Sequence, residues 1–173
     1  ADIGAGTGYG LELFGDRTRR LIAIDASEAM LAVARKKVEA LGIENVEFRL
    51  GDAAAPPLEC GEADLAILMM VLHHLERPEA AIHAVAQRLE PGGLLFVADF
   101  LAHQQTWLRE TLNHRWLGFD RGEFEEWLED AGLEAVTWTA LPGRSLEAAG
   151  GERVVAPDGF ALLARRSLSG NGA

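Results

Sequence analysis

Asp2-Ile3-Gly4-Ala5-Gly6-Thr7-Gly8-Tyr9-Gly10 constrains this chain more than any other stretch. An acid and an apolar residue, followed by glycine at every second position from Gly4 to Gly8, predict a buried strand that turns sharply into a helix. A turn that tight needs residues without a Cβ, both to reach unusual φ/ψ and to let a ligand come close to the backbone. The dinucleotide pattern G-x-G-x-x-G would need glycine where Tyr9 stands. No Gly-Lys-Ser/Thr follows, so the turn is not a P-loop. A glycine run alone also fits an ordinary turn, and the residues after it decide between the two.

Tyr9 to Phe14 starts a short helix that ends near Gly15-Asp16. Leu21-Ile22-Ala23-Ile24-Asp25 is an apolar run suited to a strand buried on both faces and closed by an acid. Ser27 is a credible N-cap, and Glu28 lies where the helix dipole favours a carboxylate. Met30, Ala34, Val38 and Leu41 then recur at helical spacing, and Gly42 supplies the stop. Val46 to Leu50 alternates as a strand and runs into Gly51-Asp52; Pro56-Pro57 marks a loop. Asp64 to Met70 is the most apolar strand, and His73-His74-Leu75 follows it. Pro78 fits the first position of a helix with Ile82, Val85 and Leu89 on one face. Pro91-Gly92-Gly93 turns into a strand over Leu94 to Asp99. Thr106 to Leu117 carries Leu108, Leu112 and Trp116 on one helical stripe. Asp120 and Glu123 form an acidic capping box before Phe124, Trp127, Leu128 and Ala131, with Gly132 as the stop. Ala135 to Leu141 and Gly159 to Arg165 read as the last two strands, separated by a Gly-rich excursion.

Strand and helix alternate up to Ala131, which predicts an α/β fold with a doubly wound parallel sheet. No helix separates the last two strands, so they are expected to pair as an antiparallel hairpin. The length of 173 residues and 49% hydrophobic content suit one domain, expected over residues 1–166, with 167–173 frayed. Only Ala1-Asp2-Ile3 precede the turn, where a strand has about five or six residues. The chain is therefore expected to be a fragment lacking the start of its central strand. A net charge of −11 disfavours phosphate backbones, so no nucleic acid is expected to bind this segment by itself. Cys60 is the one cysteine, which leaves no internal disulfide and no cysteine-based metal site. No apolar run is long enough for a membrane helix and no signal peptide is visible; a reducing cytoplasm fits.

Acids end the first, second, third and fifth strands: Asp2, Asp25, Asp52 and Asp99. Ligands of such sheets bind outside the carboxyl ends of the strands. D-x-G-x-G-x-G, joined to Asp25 and Asp52 at these intervals, closely resembles class I S-adenosylmethionine-dependent methyltransferases, and the resemblance covers essentially the whole chain. It implies a Rossmann-like seven-stranded sheet and S-adenosyl-L-methionine as cofactor. That cofactor presents a ribose diol, an adenine amine, an ammonium and a sulfonium but no phosphate, which suits carboxylates and needs no lysine. By resemblance Asp2 faces the methionine amino group. Gly4, Ala5, Gly6 and Gly8 pass beneath the amino-acid part. Asp25 and Ala26 meet the ribose, Met30 covers the adenine, Asp52 and Ala53 bind the adenine edge, and Met69 adds backbone near the methionine portion. Each residue also has a plainer reading: an Asp at a strand end caps turns, and Met30 fits its helix's core stripe. Asp99 is read as a loop cap outside the site.

His73 and His74 follow the strand that walls the reaction site in this family. Methyl transfer depends mainly on positioning, and a base helps only where the acceptor must lose a proton. His73 is the candidate base; packing against the next helix is its alternative. Two adjacent histidines point apart on a helix and so are not read as a metal pair, and no metal is expected. Asn113-His114-Arg115 either lines the acceptor side or solvates a helix face. Leu72-His73-His74-Leu75 and Leu89-Glu90-Pro91-Gly92-Gly93 resemble the branch related to ubiquinone/menaquinone-biosynthesis methyltransferases. Asp99-Phe100, Leu108-Arg109-Glu110 and His114 to Phe119 are similar to methyltransferase domains fused behind an arsenic-repressor-type winged helix. That resemblance implies an N-terminal DNA-binding partner domain. With Cys60 alone the chain lacks the several cysteines by which arsenite methyltransferases hold arsenic. Two functions remain open: methyl transfer to a small-molecule acceptor, and a cofactor-binding sensor with little turnover.

Overall fold

The computed structural model of the chain describes residues 1–143, 145–147 and 153–168. Five parallel strands, β1 (Asp2–Ile3), β2 (Leu21–Asp25), β3 (Val46–Leu50), β4 (Ala63–Met69) and β5 (Leu89–Phe100), are joined by α1 (Tyr9–Phe14), α2 (Glu28–Leu41) and α3 (Pro78–Arg88), except that β3 reaches β4 through a loop, which breaks the expected alternation. α4 (Trp107–Leu112) and α5 (Arg121–Asp130) lead to β6 (Leu133–Leu141). After the small β7 (Ser145–Glu147) and β8 (Arg153–Val155) pair, β9 (Gly159–Arg166) closes the chain's main sheet. The seven-stranded order is β3-β2-β1-β4-β5-β9-β6, with β9 antiparallel to both β5 and β6. The expected mostly parallel sheet with an antiparallel closing hairpin is therefore present. No helix among the described residues is long and apolar enough to cross a membrane.

Alternation along β2 shows how the two layers form. Ile22 and Ile24 join the larger core, with α3 and α5 residues such as Ile82 and Phe124. Leu21 and Ala23 face the other way, onto Leu11 of α1 and Ala34 and Val38 of α2. Burying both faces requires the unbroken apolar run that the sequence carries there. The predicted caps hold: Ser27 Oγ accepts from Met30 N at 3.3 Å, Asp120 accepts from Gly122 N and Glu123 N, and Gly42 ends α2 at φ 69°.

Three readings change. The core stripe of α2 is Leu31, Ala34 and Val38, while Met30 and Leu41 are 43% and 50% exposed. The helix expected to Leu117 stops at Leu112, because Asn113 is left-handed at φ 55°. Leu112 is exposed, so the expected stripe dissolves and Trp116 packs instead with Phe119 and Trp127. β5 begins at Leu89, before the Pro91-Gly92-Gly93 turn, and its ladder with β4 breaks between the pairs Ala63–Leu89 and Leu65–Leu94. Of the tail expected to fray, 169–173 lies outside the described residues, and Ser167 N donates to Gly132 O at 3.2 Å.

Candidate functional site

β1 lies between β2 and β4, so the glycine turn leaves the sheet at its centre. Gly4, Gly6 and Gly8 all have positive φ, at 77°, 52° and 83°. The turn is held from below: Gly4 N and Ala5 N donate to Ile24 O at 2.8 and 2.9 Å. It is also held from the side. Asp25 Oδ2 accepts from Gly6 N at 2.7 Å, and Asp25 Oδ1 accepts from Ser27 N at 2.8 Å. Asp25 is therefore the turn cap of its plainer reading. It also stands half-buried at the carboxyl end of β2, with lone pairs left over for two further donors.

Asp2 is 2% exposed, and its Oδ2 has no hydrogen-bond partner. Burial pushes its carboxyl up to about 7, against a pull from the Ala1 ammonium and with a further push from Asp25. A buried acceptor without a donor is costly, and a cation or N–H donor placed there would relieve that cost. Asp52 is exposed and accepts from Ala54 N at 2.8 Å; Ala53 beside it is buried, and Ala26 is exposed. Met30 lies on the first turn of α2 outside the core stripe, which removes its packing role. Met69 is half-buried at the end of β4, and Met70 after it adopts φ 55°.

The chain then bends back onto the turn. A Cβ on Gly4 would strike the Val71 side chain, so the segment after β4 packs directly against the glycines. Leu72–His74 forms a single 3-10 turn rather than an α-helix. His73 is 2% exposed, and its Nδ1 donates to Asp99 Oδ1 at 2.7 Å. Asp99 also accepts from Leu72 N at 3.1 Å and Phe100 N at 2.8 Å. Three bonds hold its carboxylate, and it holds the His73 ring with Nε2 directed away. The loop-cap reading of Asp99 is thus incomplete.

The segment following α4 completes this side. Arg115 N and Trp116 N both donate to His73 O, at 2.9 and 3.1 Å, and Trp116 Nε1 donates to Leu75 O at 3.0 Å. These bonds bring His114 beside His73, with ring centroids 4.2 Å apart. His114 is 5% exposed, so it does not solvate a helix face. The His73 and His74 rings also approach, at 4.1 Å, against the expectation that they point apart. That expectation assumed α-helical spacing, and the 3-10 turn does not follow it. Burial, then the neighbouring histidines, push His114 down to about 4. His74 and His103 are lowered for the same reasons, so these rings are suited to remain neutral. His114 was visible in sequence only as one of three polar residues within an expected helix, and Asp99 only as one strand-end acid among four.

Two open clefts lie elsewhere. One of about 510 Å³ at the amino ends of the strands is lined by Arg20, Glu62 and Asp64, and one of about 670 Å³ lies between α5 and β6. Neither touches the glycine turn or the histidines.

The family model described as "Methyltransferase domain" matches residues 1–97. YcgJ of Bacillus subtilis, described as an uncharacterized methyltransferase, is 31% identical over 113 residues, covering 65% of this chain and 45% of its own. Its crystal structure aligns with a TM-score of 0.79 at 18% identity, over 98% of this chain and 91% of that one. The ubiquinone biosynthesis O-methyltransferase of Marinobacter nauticus is 30% identical over 156 residues, covering 81% of this chain and 65% of that protein. Phosphoethanolamine N-methyltransferase 2 of Haemonchus contortus, solved with S-adenosyl-L-methionine, aligns at TM-score 0.73 and 14% identity, over 96% of this chain and 48% of that one. The chain thus spans 45% and 65% of the length of these two curated relatives.

Proposed function

The chain belongs to the methyltransferase-domain family, and from that membership we propose that it binds S-adenosyl-L-methionine at the carboxyl ends of β1 and β2 and methylates a small-molecule hydroxyl acceptor. The observation that carries the reading is Asp2: a buried carboxylate beside a positive-φ glycine turn, with one oxygen lacking any donor. Its chemistry fits the cofactor's ammonium. Gly4, Ala5, Gly6 and Gly8 would pass beneath the cofactor's amino-acid part, and at Gly6 the space a Cβ would take is open to a ligand. Asp25 and Ala26 stand where the ribose would be met, Met30 where adenine would be covered, Asp52 and Ala53 at the adenine edge, and Met69 toward the methionine portion. When bound, the cofactor supplies an electrophilic methyl group on a sulfonium.

The chain's own contribution is positioning and one proton acceptor. Asp99 fixes His73 in the tautomer that keeps the proton on Nδ1, which leaves the Nε2 lone pair to take a proton from an acceptor hydroxyl. The name of the Marinobacter relative, an O-methyltransferase, supports an oxygen acceptor. An oriented base favours turnover over a sensing role. The resemblance to domains fused behind a winged helix supports a regulator context, which the upstream gene sequence would test.

Calorimetry is the direct check on the cofactor site. Asp25→Ala removes the ribose acceptor and one restraint on the turn, so it should weaken binding by about 1.5–3 kcal/mol. Equal affinity for the wild type and Asp25→Ala would overturn the assignment. Turnover of a phenolic acceptor should fall by about 10²–10⁴-fold in His73→Ala while cofactor affinity persists.

A further inference from the structure

We propose that His73, His74 and His114 bind a divalent transition-metal ion, with Zn²⁺ or Co²⁺ as the probe. One nitrogen from each of the three rings lies within 4.8 Å of the others. Three imidazoles with an open fourth position form a donor set that zinc and its neighbours accept. Nitrogens about 2.0–2.1 Å from a tetrahedral zinc stand roughly 3.4 Å apart, so the rings must close by an ångström or so. His74 can supply that movement, since it is exposed and its only polar contact among the described residues is a 3.4 Å approach of Nδ1 to Asn113 O.

Two further features point to a ligand. His114 Nδ1 is buried and has no hydrogen-bond partner, in a ring that is 5% exposed. His73 is already oriented as metal-bound histidines are: Asp99 accepts from Nδ1 and Nε2 remains available. The cluster is also rigidly backed. Arg115 and Trp116 N–H groups fix the His114 segment to His73 O, and Phe100 packs 5.1 Å from His73 and 5.6 Å from His114.

The metal takes the nitrogen that otherwise serves as the base. In the loaded protein the open position would accept an oxygen of the acceptor and lower its pKa, and the hydroxyl proton would pass to solvent water, so free His73 would not be needed. This goes beyond the cofactor reading and is tested apart from it: Co²⁺ binding does not involve Asp25, and methyl-donor binding does not involve His74.

The test uses a Cys60→Ser background, because that exposed thiol would also bind metal. Titration with Co²⁺ should give one ion per chain, with the intense visible absorption of a four-coordinate site, and Zn²⁺ should displace it. His114→Ala and His74→Ala should each weaken binding at least about tenfold, and Asp99→Asn about 10–100-fold. His83→Ala, on the exposed face of α3, should change nothing. His74 is the deciding position, because its exposed side chain can be removed without opening the core. The proposal is overturned if the wild type takes up no Co²⁺ at micromolar concentration. It is equally overturned if His74→Ala binds as the wild type does, or if His83→Ala loses as much as His74→Ala.

Discussion

Asp2 is the residue whose state, on the proposed cofactor reading, would couple the fold to the ligand. Its carboxyl is raised from 3.8 to about 7, chiefly by burial. A carboxyl that holds its proton more tightly folded than unfolded stabilises the fold fully below its ordinary value. That stabilisation is lost as the pH rises through about 7. Asp2→Asn keeps the shape and cannot ionise. It should melt with the wild type near pH 3.5 and above it at pH 8, by an amount on the order of 1–3 kcal/mol. At pH 8 the same change should weaken S-adenosyl-L-methionine binding, since the charged partner is gone. A melting difference that is the same at both pH values would mean that Asp2 does not titrate in this range. His73 and Asp99 make the contrasting case. The sequence marks both as polar residues after strands, but only proximity in the fold shows that they form a pair.

At the scale of elements, the segment from Asn113 to Phe119 shapes the proposed acceptor side. It carries His114, and it is held at both ends. Its backbone donates to His73 O, while Trp116 and Phe119 enter an aromatic cluster with Phe124 and Trp127. Phe119 and Phe124 are 1% and 0% exposed, and each buried ring contributes roughly 1.5–3 kcal/mol. Gly118 allows the return: its φ is 76°, and a Cβ there would collide with the Leu101 carbonyl. Gly118→Ala should cost more than about 1 kcal/mol by thermal melting and should weaken Co²⁺ binding through His114, leaving Asp25-dependent cofactor binding in place. Unchanged metal affinity in that variant would show that His114 keeps its place without this turn. The periodicity of residues 106–117 fits a longer helix, and Met30-Ala34-Val38-Leu41 fits a different buried face of α2. Both patterns satisfy helical spacing; the faces actually buried were selected by hydrogen bonds to His73 and by packing on β2.

For the whole molecule, the two ends of the sheet do different work. The carboxyl ends gather the glycines and histidines. Just before the amino end of β4, Glu62 is gripped by Arg49 of β3 with two bonds, Nη1–Oε2 at 2.9 Å and Nη2–Oε1 at 2.7 Å. Arg20 bridges Glu62 and Glu47. Arg49 first, then the Glu59 backbone and Arg20, hold Glu62 down at about 2 against burial. A depressed carboxyl contributes stability above its ordinary value and loses it as the pH falls through the lowered one. Glu62→Gln should therefore cost roughly 1 kcal/mol near neutral pH, with the difference from the wild type closing toward pH 2. Its cofactor affinity should be unchanged, because ligands bind at the other end. A loss of affinity in Glu62→Gln would mean that the two ends are coupled.

The sequence by itself determined the sheet and its direction. Apolar runs closed by acids, helices between them, and two final strands without a helix admit few other topologies. It also determined the backbone of the cofactor end, since Asp2, the glycines and Asp25 are neighbours through one turn and one adjacent strand. Only the tertiary structure decided the histidine end, the proposed acceptor side. Asp99, His73 and His114 come from three separate segments, and nothing local in any of them encodes the others. Their meeting depends on β4 pairing with β5, which brings Asp99 to Leu72 N, and on the His73 carbonyl capturing two N–H groups more than forty residues away. Such contacts are set by packing and by the requirement that buried polar groups find partners, and neither leaves a period in the sequence.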